Sequence, residues 1–341
     1  MSFLSKLQRP FIIAEMSGNH NQSLERALEL VEAAARSGAH ALKLQTYTAD
    51  TITMRGALTI EDPHSLWAGQ ELYDLYQQAY TPWEWHAPIF ERAKELGMLA
   101  FSSPFDESAV DFLEALNVPM YKIASFENTH HPLLEKVAQT GKPVIMSTGV
   151  SSFDDIAESV DVLKHAGCQE IILLKCTSTY PATPENTNLL TIPAMREAFQ
   201  CEIGLSDHTM GIGVSVASVG LGVRVIEKHF TLRRSDGGVD SAFSMEPDEL
   251  TALVTETERA YLALGSVQRD VQQVEEKSLL FKRSIYASRE ICAGETITQE
   301  NTKIIRPAKG LAPKHWKEIQ GKKVKSNIAK GTPIQWDMIE S

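Results

Sequence analysis

Eight short apolar runs, at residues 11–16, 41–46, 99–104, 120–125, 143–148, 170–176, 202–207 and 223–230, recur through the first 230 positions and constrain this chain more than any other feature. They are strand-like in length, and the stretches between them carry a different period. Leu24, Ala27, Leu28, Val31, Ala34 and Ala35 fall at spacings of three and four, the pattern of a helix with one buried face. Further helices are expected near 106–117, 131–140, 153–166, 188–199, 213–222 and 247–264, and Thr81-Pro82-Trp83-Glu84 has the letters of a capping box. Strands that alternate with helices must return to the same edge of a sheet, which makes the sheet parallel. Eight such units within about 265 residues predict an α/β fold, a closed (β/α)8 TIM barrel rather than an open doubly wound sheet.

A second, smaller module is expected after the barrel. Residues 1–280 hold 21 Lys and Arg against 38 Asp and Glu, a balance of −17, whereas 281–341 hold 12 against 6, a balance of +6. The barrel is assigned to 1–265, a polar linker to 266–282, and a compact β-rich module to 283–341, where short runs at 284–288, 302–305 and 323–326 alternate with Gly and Pro.

Several function classes are excluded. A net charge of −11 does not make a nucleic-acid surface, which needs a basic stripe. The longest uncharged stretch, 209–223, is 15 residues with four glycines, short of the roughly 18 apolar residues a membrane span requires. Lys6, Arg9 and Pro10 precede a short apolar run ending at Glu15, which is not a signal-peptide core, so a cytoplasmic location is expected. Cys168, Cys176, Cys201 and Cys292 show no CxxC spacing and are expected to be reduced thiols.

In a barrel the reacting groups sit at the carboxyl ends of the strands. Those ends offer Glu15 with Asn19 and His20, Lys43 with Gln45, Lys122 with Ser125 and Glu127, then Ser147, then Ser178 and Tyr180, then Ser206 with Asp207 and His208, and Glu227 with His229. Two lysines and several hydroxyls converging on one mouth of an acidic barrel make an anion site, suited to a small phosphorylated or carboxylated substrate. His208 and His229 end adjacent strands, so they are either a metal pair or two separately hydrogen-bonded histidines; carboxylates nearby suit Mn²⁺ or Mg²⁺ better than zinc. Ser206-Asp207-His208 is not a catalytic triad, because consecutive strand side chains point in opposite directions.

At these positions the segments FIIAEMSGNHNQSLERAL, ALKLQTYTADTIT, FSSPFDESAVDFL, YKIASFEN, VIMSTG, GLSDHTMGIGVSVA and VIEKHFTL resemble the sialic acid synthase family. Those enzymes condense phosphoenolpyruvate with a 2-acetamido sugar aldehyde to give nine-carbon nonulosonic acids. The last 60 residues resemble the family's antifreeze-like (SAF) domain. AEMSGNHNQSL and GGVDSAFSMEPDEL are most similar to the pseudaminic acid branch, whose sugar is 2,4-diacetamido-2,4,6-trideoxy-L-altrose; N-acetylmannosamine and the legionaminic acid precursor are the alternative sugars, and a non-catalytic sugar- or metal-binding barrel is the alternative of another class.

The resemblance implies that Lys43, Lys122, Ser125, Ser147, Ser178 and Ser206 hold the carboxylate and phosphate of phosphoenolpyruvate. It implies that His208 and His229 hold a divalent ion, Mn²⁺ first with Mg²⁺ or Co²⁺ as alternatives. Glu15, Glu127 and Glu227 would act in catalysis, and Gln45, Tyr180, Asp240 and Arg306 would contact the sugar. It also implies a domain-swapped homodimer in which Arg306 reaches the sugar from the second domain. Ser178 departs from the family pattern, since neuraminate synthases often have Asn there.

Overall fold

A computed structural model describes Phe3 and residues 7–340. Eight parallel strands close into a barrel in sequential order: β1 (Phe11–Glu15), β2 (Ala41–Thr46), β3 (Leu99–Pro104), β4 (Tyr121–Ile123), β5 (Val144–Ser147), β6 (Ile171–Cys176), β7 (Glu202–Ser206) and β8 (Val225–His229). All eight expected strands form, β2 and β3 with the expected bounds and the others shorter by one to three residues at one end or both.

Side-chain alternation divides each strand between two environments. Phe11, Ile13, Ala41, Phe101, Met120, Ile145, Ile172, Leu174 and Val225 fill the barrel interior, while Ile12, Ala14, Leu42, Leu44 and Leu173 pack outward against the helices. Both sets are removed from water, worth about 25 cal/mol per Å² of apolar surface. Continuing the inward series upward gives Glu15 after Ile13, Lys43 after Ala41, Lys122 after Met120, Ser147 after Ile145 and Glu227 after Val225. The polar mouth therefore rests on an apolar floor.

The ladder is not uniform. β2 and β3 pair over six residues and β6 and β7 over five, but β3 and β4 share one register pair, Ser102 with Tyr121, and β7 and β8 share two.

Local chemistry sets the helix starts. Ser23 caps Leu24–Arg36 by accepting from the Arg26 N–H at 3.2 Å, and Ser152 with Asp155 forms a capping box before Phe153–His165. The Thr81–Glu84 capping box does not form. A 3-10 turn, Trp83–Trp85, intervenes before the helix His86–Glu95, and the Thr81 hydroxyl instead meets His20 Nε2 at 3.1 Å.

The chain divides into two compact units, Met1–Gly265 and Ser266–Ser341. The second has its own core, with Ile285, Ile291, Ile297, Val324 and Ile334 buried, around the antiparallel pair β9 (Ser284–Ala287) and β10 (Thr302–Ile305). The expected run at 323–326 is not a strand; Lys323 and Val324 make only isolated bridges to Thr296 and Ile339.

Candidate active site

The register sets the polar rim. β1 pairs Glu15 with Lys43 on β2 and with His229 on β8, so three titratable groups share one level. Lys43 is 3% exposed and contacts the Glu15 carboxylate, with Glu227 at 3.7 Å and Ser103 Oγ at 3.3 Å. Lys122, 2% exposed, donates to Ser147 Oγ at 2.6 Å and to the Ile123 carbonyl at 3.1 Å, and lies 3.8 Å from Glu227. Ser206 Oγ donates to Glu227 Oε1 at 3.0 Å. Two lysines and two carboxylates thus form one buried cluster, which is stable only because each charge faces its opposite.

Burial shapes the titration of every member. It pushes the Glu15 carboxyl up to about 7 despite the adjacent Lys43 ammonium. Burial also opposes ionisation of Glu227, but Lys122 and Lys43 together outweigh it and hold that carboxyl below its usual range. The Lys122 ammonium is pushed down by burial, only partly offset by Glu227. Glu227 is the counter-charge shared by both lysines.

Ser125 and Ser178 converge on Gly149. A Cβ on this glycine would lie 2.0 Å from Ser178 Oγ and 2.8 Å from Ser125 Oγ, so only glycine leaves room between the two hydroxyls. The Gly149 N–H donates to Ser125 Oγ at 3.2 Å. The lysines, Ser125, Ser147, Ser178 and Ser206 are carried by neighbouring strands and the turns that follow them.

The His208 and His229 rings lie 5.3 Å apart, enclosed by Tyr180 at 4.6 Å from His208 and Phe243 at 4.9 Å from His229. His208 Nδ1 is 3.0 Å from the Thr177 carbonyl, a contact that fixes the proton on Nδ1 and leaves Nε2 with a free lone pair. His229 Nδ1 is buried without a hydrogen-bond partner, 3.8 Å from Asp240, and burial holds that imidazole well below its usual pKa and therefore neutral. The open nitrogens of these two rings would hold a divalent ion; burial disfavours a charged His208 as well, but Cys176 outweighs it and raises that imidazole's pKa. Among the described residues no group of three or more His, Cys, Asp and Glu is arranged as a complete metal cage, so remaining ligands would come from water and substrate.

Beside the histidines a cleft of about 380 Å³ is lined by Gln45, Ser125, Glu127, Tyr180, His229 and Asp240 together with several apolar side chains. Burial pushes the Glu127 carboxyl up to about 7, against Lys122, and its Oε2 is buried without a hydrogen-bond partner. Asp240 is likewise raised by burial, although Ser17 donates to it.

Fourteen of the fifteen residues expected from sequence belong to the barrel unit and gather at this mouth. Arg306 belongs to the other unit, where it follows β10 and is exposed. Two rim candidates have structural roles. His20 is buried against Thr81 with its pKa lowered to about 4 by burial, and the Asn19 amide donates to the Phe230 carbonyl at 2.8 Å. Asp207 points away from the mouth and accepts from Thr209, Ser215 and Lys228. Ser17, Trp67, Val239 and Phe243 were not legible as site residues, because they lie on turns and loops where no strand-end rule applies.

Comparison with known proteins agrees with this geometry. Residues 30–269 match the NeuB family and residues 282–340 the SAF domain. The chain is 42% identical to pseudaminic acid synthase of Campylobacter jejuni over 331 residues, 96% of each chain. It is also 42% identical to pseudaminic acid synthase of Helicobacter pylori over 339 residues, 98% of this chain and 99% of that one. Among solved structures, N-acetylneuraminic acid synthetase from Leptospira borgpetersenii superposes with a TM-score of 0.70 at 33% identity, covering 80% of this chain and 90% of that one. The chain therefore belongs to the NeuB family and ends in an SAF domain.

Proposed function

We propose that this enzyme is a transferase that joins phosphoenolpyruvate to 2,4-diacetamido-2,4,6-trideoxy-L-altrose, giving pseudaminic acid and phosphate. The observation that carries the reading is the buried Lys43–Glu15–Glu227–Lys122 cluster set beside an open His208–His229 pair. The choice of sugar is supported by the 42% identity to two pseudaminic acid synthases.

Lys43 and Lys122 neutralise a substrate carrying up to about three negative charges, and the Ser125, Ser147, Ser178 and Ser206 hydroxyls orient its carboxylate and phosphate. His208 and His229 would hold a divalent ion, Mn²⁺ first, which when bound supplies Lewis-acid polarisation of the sugar aldehyde. Gln45, Tyr180 and Asp240 position that aldehyde so that C3 of the enol bonds to C1 of the sugar. The cation left at C2 takes up water, and Glu127, poised near neutrality and lacking a partner, accepts the proton and passes it to the alkoxide formed at C1. The tetrahedral centre then loses phosphate by C–O cleavage and leaves the 2-keto acid. Glu15 and Glu227, tied to the lysines, hold the charge balance of the cluster.

Two copies are proposed to associate so that Arg306 from one SAF domain reaches the sugar's acyl group in the other barrel. The opposite charges of the two chain regions, −17 and +6, support this arrangement.

The deciding experiment measures phosphate release from phosphoenolpyruvate by metal-stripped enzyme, with and without Mn²⁺, using the altrose sugar and N-acetylmannosamine separately. Metal-dependent release with the altrose sugar alone is expected. Release with N-acetylmannosamine instead would keep the chemistry and overturn the sugar; no release with any sugar would overturn the function.

A further inference from the structure

The cleft beside the histidines is lined by polar groups, among them Ser17, Gln45, Glu127, His229 and Asp240, and by apolar ones, among them Phe105, Phe126 and Val239. Half of the apolar lining, Ile52, Ile60, Trp67, Leu72 and Leu75, comes from residues 52–75, between β2 and the helix His86–Glu95.

This segment is a built element. Thr59 and Glu71 form an antiparallel bridge, Gly69 N–H donates to the Ile60 carbonyl at 2.7 Å, and Leu72 N–H donates to the Leu58 carbonyl at 2.9 Å. The Trp67 indole N–H reaches across to the Val239 carbonyl at 3.0 Å, and its ring lies 6.0 Å from Tyr180. Trp67 and Val239 also line a second cleft of about 530 Å³, together with Asn21, Gln22, Leu66, Gln70 and Ala242. Ile60 and Leu72 line the first, where they share their space with His229 and Asp240.

We infer that Ile60, Leu72 and the Trp67 strap form a specificity wall that selects a sugar whose carbons remote from the aldehyde carry methyl and acyl groups in place of hydroxyls. This deepens the proposed function and rests on it. The aldehyde must lie toward the histidines and lysines for its carbon to react, so the far end of the sugar faces the wall. A hydroxyl facing Ile60 and Leu72 gives up water and meets aliphatic carbon; the Trp67 N–H is already used, and Ser65, the one hydroxyl of this segment in the lining, accepts from the Trp67 backbone N–H. A methyl at the same place is favoured by burial. The Tyr47 and Tyr76 rings in the same cleft suit the flat, half-polar acetamido group.

The test compares kcat/KM for the 6-deoxy diacetamido sugar and its 6-hydroxy counterpart in wild type, Ile60→Asn and Leu72→Asn. Both positions are only half-buried, and circular dichroism checks each fold. Wild type should prefer the deoxy sugar by about 100-fold, the range in which an apolar pocket rejects an added hydroxyl. At least one variant should narrow that ratio to below about 10-fold by gaining on the 6-hydroxy sugar, with KM for phosphoenolpyruvate unchanged. Equal use of both sugars by wild type, or an unaltered ratio in both folded variants, would overturn the wall. Phosphate release with neither sugar would instead overturn the function on which the wall rests.

Discussion

At the residue scale, the site is governed by how few water molecules its charges can reach. Lys43 and Lys122 each face two carboxylates or hydroxyls in place of solvent, and removing one ammonium removes a charge-assisted contact worth about 1.5–3 kcal/mol. Lys43→Met and Lys122→Met should each raise KM for phosphoenolpyruvate by roughly 10–150-fold while leaving KM for the sugar nearly unchanged. Unchanged phosphoenolpyruvate KM in both would remove them from the anion site. Glu127 gives the pH dependence. Burial raises its pKa from the ordinary 4.5 to about 7, so the folded state holds the extra proton between those two values. Stability should therefore be greatest at the acid end of that window and fall as pH rises through it, by up to roughly 3 kcal/mol. A base ionising near 7 also makes kcat/KM rise toward a plateau above that pH. Glu127→Gln should flatten both the thermal-denaturation profile and the rising limb; a retained limb would pass the proton-accepting role to another group.

At the scale of elements, the strands were legible because short apolar runs, buried on both faces of a parallel sheet, stand out between helical patterns without tertiary context, and the rim residues followed from the strand ends. The wall was not legible. Ile60 and Trp67 sit in a hairpin without a period, and Leu72 opens a short helix whose Leu72, Leu75, Tyr76 and Ala79 recur at three and four as a core-facing stripe would, so nothing local distinguishes a substrate face from a core face. Thr81 shows a similar limit: its letters offer a helix cap, but a buried His20 nearby made the stronger claim on its hydroxyl. Asp207 and Lys228 were hidden for the opposite reason, since they stand between site residues yet face outward. Lys228 Nζ meets Asp207 at 3.1 Å and the carbonyls of Thr209 and Gly211 at 2.6 and 3.0 Å, joining β7 to β8 where their ladder is short. Lys228→Met leaves Asp207 buried beside neutral donors only, and should cost about 3–5 kcal/mol of stability, measured by denaturant unfolding. A loss below about 1 kcal/mol, the worth of an exposed pair, would mean that the ion pair is not a structural tie.

At the scale of the whole molecule, the charge difference between the two regions was plain from the sequence, whereas the arrangement of two copies lies beyond any single chain. If association brings an SAF domain of one copy to the barrel of another, light scattering should report a dimer, and Arg306→Ala should raise KM for the sugar without changing KM for phosphoenolpyruvate. A fully active monomer would overturn the exchange. The uneven ladder has a consequence of its own. Its two thinnest joins, β3 to β4 and β7 to β8, divide the barrel into two half-shells, β8-β1-β2-β3 and β4-β5-β6-β7. Each half-shell carries one of the two lysines and one of the two histidines: Lys43 and His229 on the first, Lys122 and His208 at the edges of the second. An anion held by both lysines therefore staples one half to the other, and an ion shared by both imidazoles does so again along the second seam. Binding across both lysines would add to the ties that Lys228–Asp207 and Ser206–Glu227 already make, and amide exchange in β4 and β7 should slow most when phosphoenolpyruvate is added.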